Sequence, residues 1–142
     1  MATAMQKFDQ FVEDLGKKVH NLNSDTLKIM LTNTAPTASN ATKTDITEIS
    51  SGHGYTAGGT QSTFVSGAQT SGVYKLVLND VTFTASGGSI GPFRYAVLYN
   101  DTPTSPADPL IGYWDYGTNI TITDGNSFLT DLDQTGGVFT VT

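Results

Sequence analysis

The chain contains no cysteine. Neither a disulfide framework nor a thiolate metal site can form, and the absence suits folding in a reducing cytoplasm. Basic residues are scarce: 7 Lys and Arg stand against 13 Asp and Glu, a formal net charge of −6 over 142 residues. Phosphate-binding surfaces need clustered Lys and Arg. Here only Lys17 and Lys18 are adjacent, so neither nucleic acid nor an acidic membrane surface is an expected partner. Long apolar runs are also missing; none approaches the ~18 residues of a membrane span. Gln6, Lys7, Asp9 and Gln10 interrupt the first apolar residues, so no secretory signal is expected.

A chain of this length fits one domain. Its first part, residues 1–23, reads as a helical segment. Phe8, Phe11, Val12, Leu15, Val19 and Leu22 form one stripe of a 3.6-residue period, with Lys7, Gln10, Glu13, Asp14, Lys17 and Lys18 on the other side. The pattern predicts an amphipathic helix over about residues 4–20. Gly16 weakens it by roughly 1 kcal/mol relative to Ala, and the turn formers of residues 21–25 end it.

Residues 24–142 read as a β domain. Leu27, Ile29 and Leu31 alternate with Lys28, Met30 and Thr32, which predicts a strand over 26–32. Residues 33–69 are rich in Thr, Ser, Asn, Gly and Ala and predict long loops, with short strands near 45–48 and 61–65. Strands follow at 73–78 and 80–84, with a bend at Asn79-Asp80. Residues 93–99 are apolar on both faces and predict a central strand. Pro103, Pro106 and Pro109 place a loop before a strand at 110–116. Asp124-Gly125 predicts a hairpin joining 119–123 to 127–133, and a last strand covers 138–141. About eight short strands at near-regular spacing predict a single antiparallel β-sandwich or jelly-roll-like domain behind one N-terminal amphipathic α-helix. The helix stripe has to be buried on its own sandwich or on a neighbouring subunit.

Chemistry-bearing residues are few and scattered. His20 falls at the end of the predicted helix, where a cation favours the dipole. His53 lies in a Gly-rich loop near Ser50 and Ser51, but no G-x-S-x-G elbow accompanies it. Asp131 and Asp133 share a strand face without the D-x-[DN]-x-[DN]-G calcium pattern. Asp115 stands between Trp114 and Tyr116, a combination that can stack on sugars and more often lines a core. Gly52-His53-Gly54 and Gly87-Gly88 do not fit a phosphate loop. No catalytic residue, cofactor, metal or small-molecule substrate is expected.

The stretch Lys7-Phe8-Asp9-Gln10-Phe11, the strand Thr26-Leu27-Lys28-Ile29-Met30-Leu31-Thr32-Asn33-Thr34-Ala35-Pro36, and the segments Asp45-Ile46-Thr47-Glu48-Ile49 and Gly54-Tyr55-Thr56-Ala57-Gly58-Gly59 carry a resemblance. It continues in Phe93-Arg94-Tyr95-Ala96-Val97-Leu98-Tyr99-Asn100-Asp101 and Leu110-Ile111-Gly112-Tyr113-Trp114-Asp115-Tyr116-Gly117. Over most of its length the chain resembles a family of small structural proteins of tailed bacteriophages. That resemblance implies a non-enzymatic virion component made in the host bacterial cytoplasm. It is of the capsid decoration or cement type, bound to the outside of the major capsid protein shell.

The partners so implied are the major capsid protein and copies of the chain itself, as dimer or trimer. A tail or baseplate position is the alternative within a virion. A carbohydrate-binding β module using Tyr113, Trp114 and Tyr116 is the alternative outside it. The expected protein contacts are Phe8, Phe11, Val12, Leu15 and Val19 of the helix, and the loops at 33–44 and 50–60 with His53 and Tyr55.

Overall fold

The structure, a computed structural model, describes residues 4–142. It is mainly β and antiparallel, with one α-helix near the N-terminus. In chain order the elements are β1 (Gln6–Lys7), α1 (Asp9–Gly16), β2 (Leu27–Thr32), a 3-10 turn (Lys43–Asp45), β3 (Thr60–Gln61), β4 (Phe64–Thr70) and β5 (Val73–Leu78). There follow β6 (Val81–Thr84), β7 (Ile90–Asn100), β8 (Leu110–Ile122), β9 (Ser127–Thr130) and β10 (Phe139–Val141). They form a five-stranded sheet β1-β8-β7-β2-β3, a three-stranded sheet β10-β5-β4 and a ribbon β6-β9.

Period-two alternation divides the five-stranded sheet between two cores. Leu27, Ile29 and Leu31 of β2, with Ala96 and Leu98 of β7 and Ile111 and Trp114 of β8, point toward the two smaller sheets. There they meet Leu76 and Leu78 of β5 and Val81 and Phe83 of β6 in a sandwich-like layer. Met30, Val97, Tyr99 and Leu110 point the other way and are covered by Phe8, with Ile46 and Tyr113 beside them. Two buried faces account for the nearly continuous apolar character of β7.

The helix is shorter than its stripe. Gln6 and Lys7 pair with Tyr113 and Gly112 on the edge of β8, and Phe8 is the extended N-cap at φ −80, ψ 148. Sheet pairing thus takes the backbone that a helix over 4–20 would need, and the expected helical segment's residues 1–3 lie outside the described residues. At the other end Lys18 adopts a left-handed φ of 64, so Val19 and Leu22 leave the helix. Residues 4–23 supply the edge strand β1 and core side chains such as Phe8, Phe11 and Leu22 to the β domain.

Three other expectations change. Residues 45–48 form no strand: the 3-10 turn takes their place, its capping box made by Thr42 and Asp45, and only an isolated bridge joins Glu48 to Thr32. Asp124-Gly125 turns the chain but closes no hairpin. Gly125 N–H bonds the Ala85 carbonyl at 2.9 Å and Asp124 accepts from Gly87 N–H at 3.0 Å, so the turn docks on the neighbouring loop. β9 then pairs with β6, and residues 110–116 and 119–123 join into one strand, β8. Finally, residues 64–70, mostly expected as loop, form β4. They pair with β5 across a two-residue turn with positive φ at Ser71 (52) and Gly72 (81), the geometry that matches strand twist.

Candidate functional site

The expected helix contacts separate into two groups. Phe8 is 0% and Phe11 2% exposed. Phe11 packs at a tilt against His20 and edge-on against Phe139, with ring centroids 5.2 and 5.3 Å apart. Both belong to the core and are closed to a partner. Val12 is 54% exposed, and Leu15 and Val19 are half-buried. Leu15 and Val19 line a groove of about 580 Å³ with Tyr74 and Val141.

Tyr55 is likewise a structural residue. It is buried, and its hydroxyl donates to Glu48 Oε2 at 2.6 Å while accepting from Leu31 N–H at 3.0 Å. Glu48 also accepts from Gly58 N–H at 2.7 Å, and the Gly58 carbonyl accepts from Tyr99 O–H at 2.5 Å. Burial, reinforced by the Glu48 carboxylate, pushes the Tyr55 hydroxyl far above its ordinary range. This network fastens the 46–59 loop across β2 and β7. Tyr55→Phe strands the buried Leu31 N–H, so we expect a loss of about 2–3 kcal/mol, readable as a lower urea midpoint at unchanged slope.

His53, next along the same loop, is exposed at a left-handed φ of 55. Its ring lies flat against Gly88, where a Cβ would stand 2.4 Å from Nδ1. Its ring forms no hydrogen bond to a serine or an acid among the described residues, so the loop holds no Ser–His pair.

The acids serve backbone and ion pairs. Asp133 lies beyond the end of β9 and accepts from the N–H groups of Gly136 and Thr135 at 2.8 and 2.9 Å, which lowers its pKa. It thus shares no strand face with Asp131. Asp115 takes Arg94 in a two-pronged pair at 2.8 and 3.1 Å and also the Gly117 N–H, and the arginine holds its carboxyl below the usual range. Trp114 is buried, Tyr113 lies on the opposite sheet face against Phe8, and Tyr116 packs edge-on against Phe128. The three aromatics form no common stacking surface. No group of three His, Asp or Glu is placed to hold a metal ion among the described residues.

The surface that stands out is the outer edge of β4. The strand reads Phe-Val-Ser-Gly-Ala-Gln-Thr, without charge or proline, and every residue is exposed except half-buried Gly67. Phe64 and Val65 are 41% and 47% exposed. Among the described residues β4 pairs with β5 only, as the edge of its sheet, which leaves its outer row of main-chain groups without a partner strand. One of them is capped: Asn23 Nδ2 donates to the Gly67 carbonyl at 3.0 Å, held in place by Tyr74 O–H on Asn23 Oδ1 at 2.8 Å. A Cβ at Gly67 would stand 2.3 Å from Asn23 Oδ1, so only glycine admits that cap. Beside the edge, Ser66, Ala68, Thr70, Val73, Lys75 and Thr140 line a shallow groove of about 330 Å³.

Sequence reading missed this edge. Ser66, Gly67 and Ala68 have low β-propensity, and the usable signal was the Ser71-Gly72 pair before the alternating β5. In comparisons with known proteins, the chain matches no family model, no curated protein and no solved structure.

Proposed function

We propose that the chain is a structural protein of a tailed-bacteriophage virion. In this reading it decorates the capsid, binds the major capsid protein shell and copies of itself, and catalyses no reaction. The observation that carries the reading is the β4 edge. Proteins that work alone blunt such edges with charge, proline or a covering element. β4 has neither charge nor proline, and its irregularity between Phe64 and Ser66 leaves residues 66–70 in regular register, which offers main-chain pairing to a strand of a neighbouring subunit. A chain of net charge −6 meets least repulsion from an acidic neighbour along an uncharged strip. Each contact can be modest, because many copies around a symmetric shell multiply it. The resemblance to small phage virion proteins supports the same reading.

Purified protein incubated with heads that lack it should co-sediment with them and raise their heat resistance. The double variant Val65→Lys, Gln69→Lys keeps the hairpin and should weaken attachment at least tenfold, about 1.4 kcal/mol, with little change in its own melting temperature. No co-sedimentation of the wild-type protein would sink the proposal. Immunogold labelling confined to the tail would move the chain to a tail position.

A further inference from the structure

We propose that His20 is an acid-operated latch that fastens residues 17–25, which follow α1, to the end of β7. The proposal is independent of the assembly reading, because it rests on hydrogen-bond direction inside the domain. Asn100 is fully buried. Its Oδ1 accepts from Thr102 N–H at 3.0 Å. Its Nδ2 has two hydrogens: one goes to Asp25 Oδ2 at 2.7 Å, the other to His20 Nδ1 at 3.0 Å. The bonds to Thr102 and Asp25 fix the orientation of the amide, so Nδ1 of His20 is an acceptor. The ring is therefore neutral, with its proton on Nε2, a buried atom that has no hydrogen-bond partner among the described residues.

The groups around the ring come from three places. α1 contributes the Phe11 ring and buried Asp14, the 21–25 turn contributes Asp25, and β7 contributes neutral Asn100. Both acids favour imidazolium. Asp25 Oδ2 is already held by Asn100 and by Asn21 N–H at 2.8 Å, whereas Asp14 is held by Gln10 at 3.1 Å through Oδ1 alone, its buried Oδ2 having no hydrogen-bond partner among the described residues. Burial outweighs them and holds His20 below its usual range. Protonation at Nδ1 would set N–H against N–H across the 3.0 Å contact, and the bond would be lost.

The sign follows from linkage. The closed latch binds a proton less readily than the opened segment, whose histidine titrates near pH 6.5. Stability of the latch is complete above that pH, falls as pH drops below it, and levels off below the closed-state pKa. Each unit of separation gives tenfold more opening.

In labelled full-length protein, the His20 ring signals should titrate below pH 6.5. Amide exchange of residues 17–25, corrected for intrinsic rate, should rise from pH 7 to 5 by the factor that the measured separation of the His20 titration from pH 6.5 sets, while central β2 and β7 amides stay protected. His20→Gln keeps an acceptor for Asn100 and cannot titrate, so the pH response should disappear. His53→Asn should retain it. A His20 that titrates at or above 6.5, or an undiminished response in His20→Gln, overturns the proposal. If His20→Gln does not fold, the wild-type titration decides alone.

Discussion

Phe8→Asp should abolish the native fold at ordinary temperature, while the same change at Val12, one helical turn on, should leave it intact. Phe8 is 0% exposed and belongs to the cluster of Met30, Val97, Tyr99 and Leu110 on the outer face of the five-stranded sheet. Truncating a buried Phe costs about 3–5 kcal/mol. A carboxylate placed among these uncharged side chains adds a desolvation cost of a few kcal/mol more. The sum rivals the whole ~5–15 kcal/mol stability of a typical domain. Val12 is 54% exposed, and a surface change of that kind stays within about 0.5 kcal/mol. Soluble yield and circular-dichroism melts of both variants make the comparison. A Phe8→Asp melt close to wild type would mean that the outer core is not closed by Phe8.

Gly59→Ala should cost about 2–5 kcal/mol, which combines left-handed strain of about 1–2 kcal/mol with overpacking of about 1–3 kcal/mol. Gly59 has φ +78, and a Cβ there would lie 1.9 Å from the Ile29 carbonyl oxygen and 2.8 Å from Met30 Cα. These are backbone atoms of β2 and cannot swing aside. The chain would have to retreat, which would disturb the Ile29–Thr60 pairing and the Gly58 bonds to Glu48 and Tyr99. Gly125→Ala is the control, because its φ is +85 and nothing lies within 4 Å of the added atom. Only the conformational part, about 1–2 kcal/mol, applies there. Equal urea midpoints for the two variants would show that β2 yields to the added methyl.

The strands that pack by simple alternation could be read directly from the sequence. β2 and β7 follow period two, and the double-sided apolar character of residues 93–99 correctly marked a central strand. The helix boundaries could not be read this way. Phe8 and Phe11 keep helical spacing, yet they enter different cores on opposite faces of one sheet. Spacing records which residues are apolar, not which surface receives them. Asp124-Gly125 showed that the chain turns, but a turn does not choose its partner strand. β9 finds β6 instead, through pairs such as Phe83–Phe128.

At the site, the Gly52-His53-Gly54-Tyr55 loop looked like contact surface because small and polar residues surround it. The Tyr55 hydroxyl goes inward because Leu31 N–H and Glu48 offer it partners there, and neither partner is signalled by the loop's own composition. The β4 edge escaped notice because its exposure depends on what fails to cover it.

The strand pairings also set an order of events for the newborn chain. Gln6 meets Tyr113, Met30 meets Val97, and Val141 meets Tyr74, so most of the sheet framework joins residues remote in sequence. Chains dominated by such pairings fold slowly, on the scale of milliseconds to seconds. β1 has no edge to join until β8 has left the ribosome, which leaves Phe8 and Phe11 without a core during most of synthesis. Their docking is therefore a late step. The β4–β5 hairpin needs only its own short turn and can form long before.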